Sequence, residues 1–550
     1  MGNQLNKKQR DQIINLLLKY EDVFAFSMKD LGKCKVMQFS IELTEEKPIY
    51  RRRHRLSKHE WELVDERCKE LYEAGLIQPS TSDFAAATVM PAKKDSSGLW
   101  TEKRMCGDYR PLNLVTPQDR YPMPTAEELF DSIGDSDVFT IVDLRQGFNQ
   151  IVIRVADRKK TAFHGSNRLW KWLVMPFGLK NAPVFFQRIM DQVLEGADFL
   201  KCYIDDVLVQ SKGFDQHLTH LEELFRRLRK ANLRIHPKKC EFAVTSVVYL
   251  GHRIVPNGTM AHWSKVVSIL EMSKPTDVST LRSFIGLCNY YRIYVQDFST
   301  IAHPLYALLK KDVTWAWSEE TQVAFDTLKE RLSDYPVLRR PDFNQVFILH
   351  TDWSALGIGA VLGQPDGEGH EYVIAYASRS NNKAESNYSS YEGECLAVVW
   401  AIIHFRPYLY GTKFLLYTDH QPLKWLMTND KLTGKLARWA LILQEYEFEV
   451  IHKAGVTHQN ADTMSRSPLA TSADLSDARQ DFDQVMALQP ATVSGYLALL
   501  CCTVVDQPIV DIWEDQDTIH FLQHGQSKSK SKSNSKLHDD PMSQGSCGTK

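Results

Sequence analysis

The sequence predicts an α+β multidomain protein with a separate α/β unit in its C-terminal half. Three observations lead there. The chain has 550 residues, 43% of them hydrophobic, which is enough apolar mass for several cores. Up to residue 311, runs with helical spacing are interspersed with short strand-like runs. Near 345 a new series begins, in which strand-like words flank one long apolar helical word.

In order along the chain, "QRDQIINLLLKYEDVF" reads as an amphipathic helix within residues 1–40. "SKHEWELVDERCKELYEAGLIQPS" (57–80) has apolar residues at Trp61, Val64, Cys68 and Leu71, a helical face that stops at Gly75 with Pro79 beyond. Residues 85–110 read as strand, turn, strand, and "DVFTIVDL" (137–144) as a buried strand. "LVMPFGLKNAPVFFQRIMDQVLEG" (173–196) is a loop running into a helix. "KCYIDDVLVQS" (201–211) is a hairpin with Asp205 and Asp206 at its bend. "FDQHLTHLEELFRRLRKANLRI" is helical, and 281–311 reads as a helical pair. Strand words "VFILHTD", "IGAVLGQ" and "EYVIAYAS", helix word "SSYEGECLAVVWAIIHF" and strand word "KFLLYTD" make the later unit. After about 469 the pattern decays, and "SKSKSKSNSK" (527–536) is low-complexity sequence without the apolar content to fold.

Net charge is -2, so composition alone does not mark a nucleic-acid binder. The basic clusters "YRRRHR" (50–55), "RRLRK" (226–230) and "HPKKC" (236–240) are compatible with phosphate contact and equally with a solvated face. Ten scattered cysteines without a CxxC pair point to a reduced intracellular protein. The polar N-terminus has no signal-peptide pattern, and the apolar run 496–505 is too short to span a bilayer, so no membrane partner is expected.

The chemistry sits in acidic residues at strand ends. Asp143 closes the word "TIVD", and Asp205 and Asp206 interrupt an apolar run. Either the pair lies in a solvated turn, or cations meet it. Carboxylates packed together repel one another unless neutralised. Mg²⁺ prefers oxygen ligands and substrate phosphates. Two such ions about 4 Å apart stabilise the attacking and leaving oxygens of an in-line phosphoryl displacement.

The ordered words "DLRQGFNQI", "MPFGLKNAP" and "YIDDVLV" resemble the palm motifs of reverse transcriptases of gypsy-type long-terminal-repeat retrotransposons. "LIQPSTSDFAA", "KRMCGDYRPLN", "YLGH" and "LRSFIGLCNYYR" are similar to the same family, over roughly residues 40–468. The resemblance implies a right-hand polymerase of fingers, palm and thumb, then a connection and an RNase H-like α/β domain. The expected division is 1–40 leader, 41–255 fingers and palm, 256–344 thumb and connection, 345–468 RNase H-like domain, and 469–550 linker and tail. It implies that Asp143, Asp205 and Asp206 bind two Mg²⁺ ions, with Mn²⁺ as an alternative. It also implies a primer 3′-hydroxyl that attacks the α-phosphate of a deoxynucleoside triphosphate. By the same resemblance Phe148 crowds the sugar 2′ position, Lys93 and Arg104 hold the triphosphate, and Gln187 and the Met175–Gly178 loop shape the nucleotide and template pocket. Expected partners are an RNA template, a DNA primer and an RNA–DNA hybrid, in a cytoplasmic virus-like particle with a nuclear stage.

A second set is Asp352 in "HTDWSALGIGAVLGQ", Glu394 in "YEGECLAVVWA", Asp419 in "YTDHQPL" and Asp462 in "NADTMSR". These words resemble the RNase H domain of the same elements, which implies a second two-metal site with water as nucleophile. Glu392 rivals Glu394, and the helix word aligns Glu394 with the family's glutamate. His452 stands ten residues before Asp462, the spacing of a histidine that assists some RNases H, while His458 stands four before it.

The chain departs from the family at Trp353, beside Asp352, where a small residue is usual. It departs also at Gly393 in place of a charged residue, at Gly107 in place of valine, and in "AAATVMP" (85–91). A decayed copy or a co-opted nucleic-acid-binding scaffold is therefore the alternative reading. "DSSG" (95–98) reads as a fingers turn and not a protease signature. His520 and His524 lack a CxxC to complete a zinc site. The expectation is a reverse transcriptase–RNase H segment that stops before integrase.

Overall fold

The computed structural model describes residues 2, 4–90, 105–256, 258–311, 313–333, 337–366, 370–418 and 434–452. At its centre lies a four-stranded antiparallel sheet: β1 (Val138–Asp143), β2 (Leu200–Tyr203), β3 (Asp206–Ser211) and β4 (Glu241–Val244), in the order β2-β3-β1-β4. β3 is covered on both faces, with Val207, Leu208 and Val209 fully buried. That is why "VLV" reads as a continuous apolar run and not as an alternation.

Two helices, α1 (Ala182–Leu194) and α2 (Phe214–Ala231), pack on this sheet and on each other. In α2 the buried residues Leu221, Leu224, Phe225 and Leu228 recur at i, i+3, i+4 and i+7, the spacing of one helical face. The helix ends at Asn232, whose φ of 59° is the left-handed conformation common at helix C-termini. The basic run 226–230 ties this helix down. Arg226 and Arg227 both bind Glu223, Arg227 also reaches the carbonyls of Val193 and Glu195, and Arg229 pairs with Asp22. From the first turn of α2, His217 inserts beneath the sheet between Thr140 Oγ1 (2.7 Å) and Ser211 Oγ (2.9 Å). Burial holds it far below the usual histidine range, at about 3, so it stays neutral.

The helix Lys58–Glu73 buries Val64, Cys68 and Leu71 as its spacing predicts, with Trp61 half-buried beside Arg53. Pro79 does more than end a helix. It lies in strand Ile77–Ser80, which pairs with Leu169–Trp172 on the outside of a three-stranded sheet. An edge strand tolerates the missing N–H. Thr88–Val89 pairs with Cys106–Gly107 as the strand–turn–strand reading expects, while its turn lies outside the described residues.

Beyond the sheet come a three-stranded meander, Val247–Tyr249, His252–Val255 and Gly258–Ala261, and the helices Trp263–Leu270, Val278–Tyr290, Phe298–Ala307 and Glu319–Ser333. The helices share a core around Phe284, Leu305, Phe325 and Leu328. The helical pair expected over 281–311 is present, broken at Asp297, whose φ is 59°.

The later unit is a five-stranded sheet of β5 (Phe347–Trp353), β6 (Gly357–Pro365), β7 (Glu371–Ser380), β8 (Lys413–Thr418) and β9 (Glu447–His452). Its order is β7-β6-β5-β8-β9, antiparallel through β7, β6 and β5 and parallel from β5 to β9. Helix α3 (Ser390–His404) packs on β5. No helix among the described residues is long and apolar enough to cross a membrane.

Two residues, Arg340 just ahead of this unit and Tyr408 within it, reach the central sheet's surroundings. Arg340 donates to the carbonyls of Gly134 (2.6 Å) and Pro256 (3.0 Å) and to that of Val255. The Tyr408 hydroxyl donates to Asp131 Oδ2 (2.6 Å). Burial raises Asp131 to about 6, and the Tyr408 hydrogen bond opposes that rise. Because the folded value is raised, stability falls as pH climbs through about 6 and the buried carboxyl ionises. Tyr408→Phe removes the donor when the charge most needs it. Thermal melts are expected to show a loss of about 1–3 kcal/mol at pH 7.5 and a smaller loss at pH 5. An equal loss at both pH values would contradict this role for the contact.

Candidate active site

β1 ends on Asp143 and β3 begins on Asp206, and the register sets the two directly across from each other. Like charges in that position are destabilising. Asp205 lies in the two-residue connection, since Tyr203 pairs with Asp206. The other connecting residue is Ile204, with φ 58°. A β-branched side chain in the left-handed region stores strain of about 1–3 kcal/mol, so the surroundings must hold the turn in place.

Gln187, from α1, does so. Its Oε1 accepts from the Ile204 N–H (2.6 Å), while its Nε2 donates to the Cys202 carbonyl (3.1 Å) and to Asp191 Oδ1 (2.8 Å). Gln187 was expected to shape the nucleotide pocket; in the structure its side chain meets the acidic hairpin from behind. The side chain is 1% exposed, and both ends of its amide are committed to the hairpin and its own helix. It is a brace under the acidic turn.

The Asp143 carbonyl accepts from the His236 N–H (2.8 Å). That contact brings the segment 236–240 alongside, and Lys239 Nζ stands 3.5 Å from Asp143 Oδ2. Burial pushes Asp143 up to about 6, with Lys239 opposing and the charge of Asp205 adding to the rise. Burial raises Asp205 as well. Asp206 is held well above the carboxylate range by burial and then by the charges of Asp205 and Asp143. Lys239 and, more weakly, Arg145 on Asp143 do not offset three acids. Nearby His236 is pulled down to about 4 by burial and by Arg145 and Lys239, so it adds no positive charge at neutral pH.

The donor set is all oxygen, which suits a hard divalent cation. Among the described residues, no three acidic, histidine or cysteine side chains are arranged to enclose an ion by themselves. Mg²⁺ does not need such a cage. It retains waters and takes substrate phosphates as ligands, so an open carboxylate set fits it.

Phe148 follows five residues after Asp143, in the short turn of 3₁₀ helix Gly147–Gln150. Its ring leans on Phe177 of the "MPFG" loop (5.3 Å) and on Phe186 (5.5 Å). Gly147 leaves room for that packing, because a Cβ there would lie 2.8 Å from Phe186 Cζ. Lys93 and Arg104 lie outside the described residues. Lys239 was missed by sequence reasoning as an individual residue. Its signal was the cluster "HPKKC", indistinguishable in sequence from any other basic run.

In the later unit Asp352 stands near the end of β5, and Glu394 is buried in α3, the helix packed on that strand. The rival Glu392 has other work. Its carboxylate completes the capping box with Ser389 and pairs with Lys435 (2.9 Å). His452 is the last residue of β9, paired through the backbone with Thr418. Its side chain, and Asp419, His458 and Asp462, lie outside the described residues.

A palm-like sheet with three acids at one end, followed by a five-stranded unit with acids at a strand end and on the covering helix, defines a reverse transcriptase with an RNase H-like domain. Family models agree. "Reverse transcriptase (RNA-dependent DNA polymerase)" matches residues 92–254, and "RNase H-like domain found in reverse transcriptase" matches 342–446. The chain is 36% identical over 469 residues to the retrovirus-related Pol polyprotein from transposon 297 of Drosophila melanogaster, covering 84% of this chain and 44% of that protein. It is 34% identical over 477 residues to the transposon Tf2-3 polyprotein of Schizosaccharomyces pombe, covering 85% of this chain and 35% of that protein. It thus spans less than half the length of these curated relatives. Among solved structures, the foamy viral protease-reverse transcriptase in complex with dsDNA has a TM-score of 0.74 at 21% identity, covering 82% of this chain and 94% of that one. The same viral protein with an RNA/DNA hybrid has a TM-score of 0.70 at 20% identity, covering 86% and 63%. These structures establish the fold. The chain therefore carries reverse transcriptase and RNase H-like domains, and its relatives are Pol polyproteins of long-terminal-repeat retrotransposons, consistent with a gypsy-type reverse transcriptase–RNase H segment.

Gln187→Leu keeps the volume of the brace and removes its hydrogen bonds. The buried Ile204 N–H then loses its partner, at about 1–3 kcal/mol. The melting temperature is expected to fall by several degrees, and an unchanged melt would show that the turn does not depend on this amide.

Proposed function

We propose that the chain copies RNA and DNA templates into DNA and cleaves RNA within RNA–DNA hybrids. The observation that carries the reading is the Asp143–Asp206 cross-strand pair, with Asp205 held beside it in a strained turn. Mg²⁺, with Mn²⁺ as the substitute, would be held by Asp143, Asp205 and Asp206 and would supply charge neutralisation and activation of the primer 3′-hydroxyl. The chain's own residues do the rest. The β1–β3 pairing fixes where the carboxylates stand, and Gln187 keeps the turn from relaxing. Phe148, backed by Phe177 and Phe186, presents a ring that excludes a sugar 2′-hydroxyl and so favours deoxynucleoside triphosphates. Lys93 and Arg104 hold the triphosphate, Arg by bidentate contact and Lys as a point charge.

At the second site Asp352, Glu394, Asp419 and Asp462 hold the cations, and His452 assists water or product. The Pol polyprotein relatives and the dsDNA and RNA/DNA hybrid bound by the viral neighbours support a template–primer partner. So does the exposed basic run 51–55. Binding is expected to weaken steeply with salt, because phosphates dominate such contacts.

The two activities separate by mutation. Asp205→Asn with Asp206→Asn is expected to abolish primer extension on an RNA template and to leave hybrid cleavage in place. Glu394→Gln is expected to do the reverse. A folded, hybrid-binding parent that extends no primer under Mg²⁺ or Mn²⁺ would overturn the polymerase reading in favour of a scaffold.

A further inference from the structure

Two departures from the family pattern, Trp353 and Gly393, meet in space. Trp353 is the last residue of β5, next to Asp352, and pairs with Ile358 across the sheet. Gly393 is buried in the first turns of α3, next to Glu394. A Cβ built on Gly393 would lie 2.2 Å from Trp353 Cδ2, 2.4 Å from Cε2 and 2.6 Å from Cε3. No side chain fits at 393 while the indole is there. The ring also belongs to a cluster with Ile358, Leu396 and Ala397. Its Nε1 is buried without a hydrogen-bond partner among the described residues. An orphaned indole N–H is unfavourable, so among the described residues ring contacts hold it in place.

We infer that Trp353 and Gly393 form an interlocking positioning pair that sets the separation of Asp352 and Glu394 at the RNase H site. Each member of the pair adjoins one of the two carboxylates in sequence, and the ring on the strand reaches the first turns of the helix at Gly393. A small residue at 353 leaves space for a larger one at 393, whereas tryptophan at 353 requires glycine. The two departures therefore fit one another in space. This inference rests on the reading of Asp352 and Glu394 as ligands of a divalent cation.

The test is Mn²⁺ binding followed by electron paramagnetic resonance, on the full chain carrying Asp205→Asn and Asp206→Asn so that the RNase H site dominates. Gly393→Ala is expected to weaken Mn²⁺ binding by about tenfold, the size typical of lost support around a metal ligand. Trp353→Ala added to it is expected to recover most of that loss. Hybrid cleavage should follow the same order, and primer extension in the otherwise native chain should be unchanged by Gly393→Ala. Should Gly393→Ala not fold, Trp353→Ala alone carries the test, with weaker Mn²⁺ binding expected from the void it opens. Parent-like Mn²⁺ affinity in Gly393→Ala, or no recovery in the double variant, would overturn the interlock. If the background chain itself binds no Mn²⁺, the ligand reading fails and the inference falls with it.

Discussion

The structure is organised around a repulsion. Asp143 and Asp206 face each other on neighbouring strands, and Asp205 sits one residue away, all in surroundings that disfavour their charged forms. Nothing in a folding economy based on burial would choose this arrangement. It persists because the rest of the sheet is over-determined. β3 is apolar along its length, α1 and α2 cover the sheet, and a buried, neutral His217 bonds to both β1 and β3. Strain in the turn at Ile204 is contained by one buried amide. The chain thus concentrates its unfavourable features in a few residues and surrounds them with ordinary packing, which is how strained sites survive.

The second site follows the same logic with different means. There, on the inference above, a ring and a glycine do the positioning that Gln187 does in the palm, while Glu392 caps the helix and pairs with Lys435. The two units are not merely strung together. Arg340 and the Tyr408–Asp131 contact fasten the later sheet to the elements flanking β1.

Much of this was legible in the sequence. Asp143 and the hairpin of Asp205 and Asp206 stood out because acids in apolar strand words have no packing rationale, and the family words fixed their order. The strand end that carries Asp352 and the helix that carries Glu394 were readable in the same way. The role of Gln187 was not, because a glutamine on a helix carries no mark of which backbone groups it will meet. The three basic runs looked alike. Only coordinates separate the exposed 51–55, the ion-paired 226–230, and Lys239 beside Asp143. The Trp353–Gly393 match was visible only as two unrelated oddities, since complementarity of size needs proximity to be recognised. Pro79 was readable as lying beyond a helix end, and its place in an edge strand was not, because an edge strand accepts what a central strand would reject.

The most direct test of the central claim is calorimetric. In the Asp352→Asn background, so that the palm acids dominate the response, the melting temperature at pH 7.5 is measured with and without Mg²⁺. The account predicts that Mg²⁺ raises the melting temperature of that chain. It also predicts that adding Asp205→Asn and Asp206→Asn raises the temperature without Mg²⁺ and removes most of the cation's effect. If the neutralised variant is no more stable than its background, or Mg²⁺ shifts both alike, the acids are not held in mutual repulsion awaiting a cation, and the account is wrong at its root.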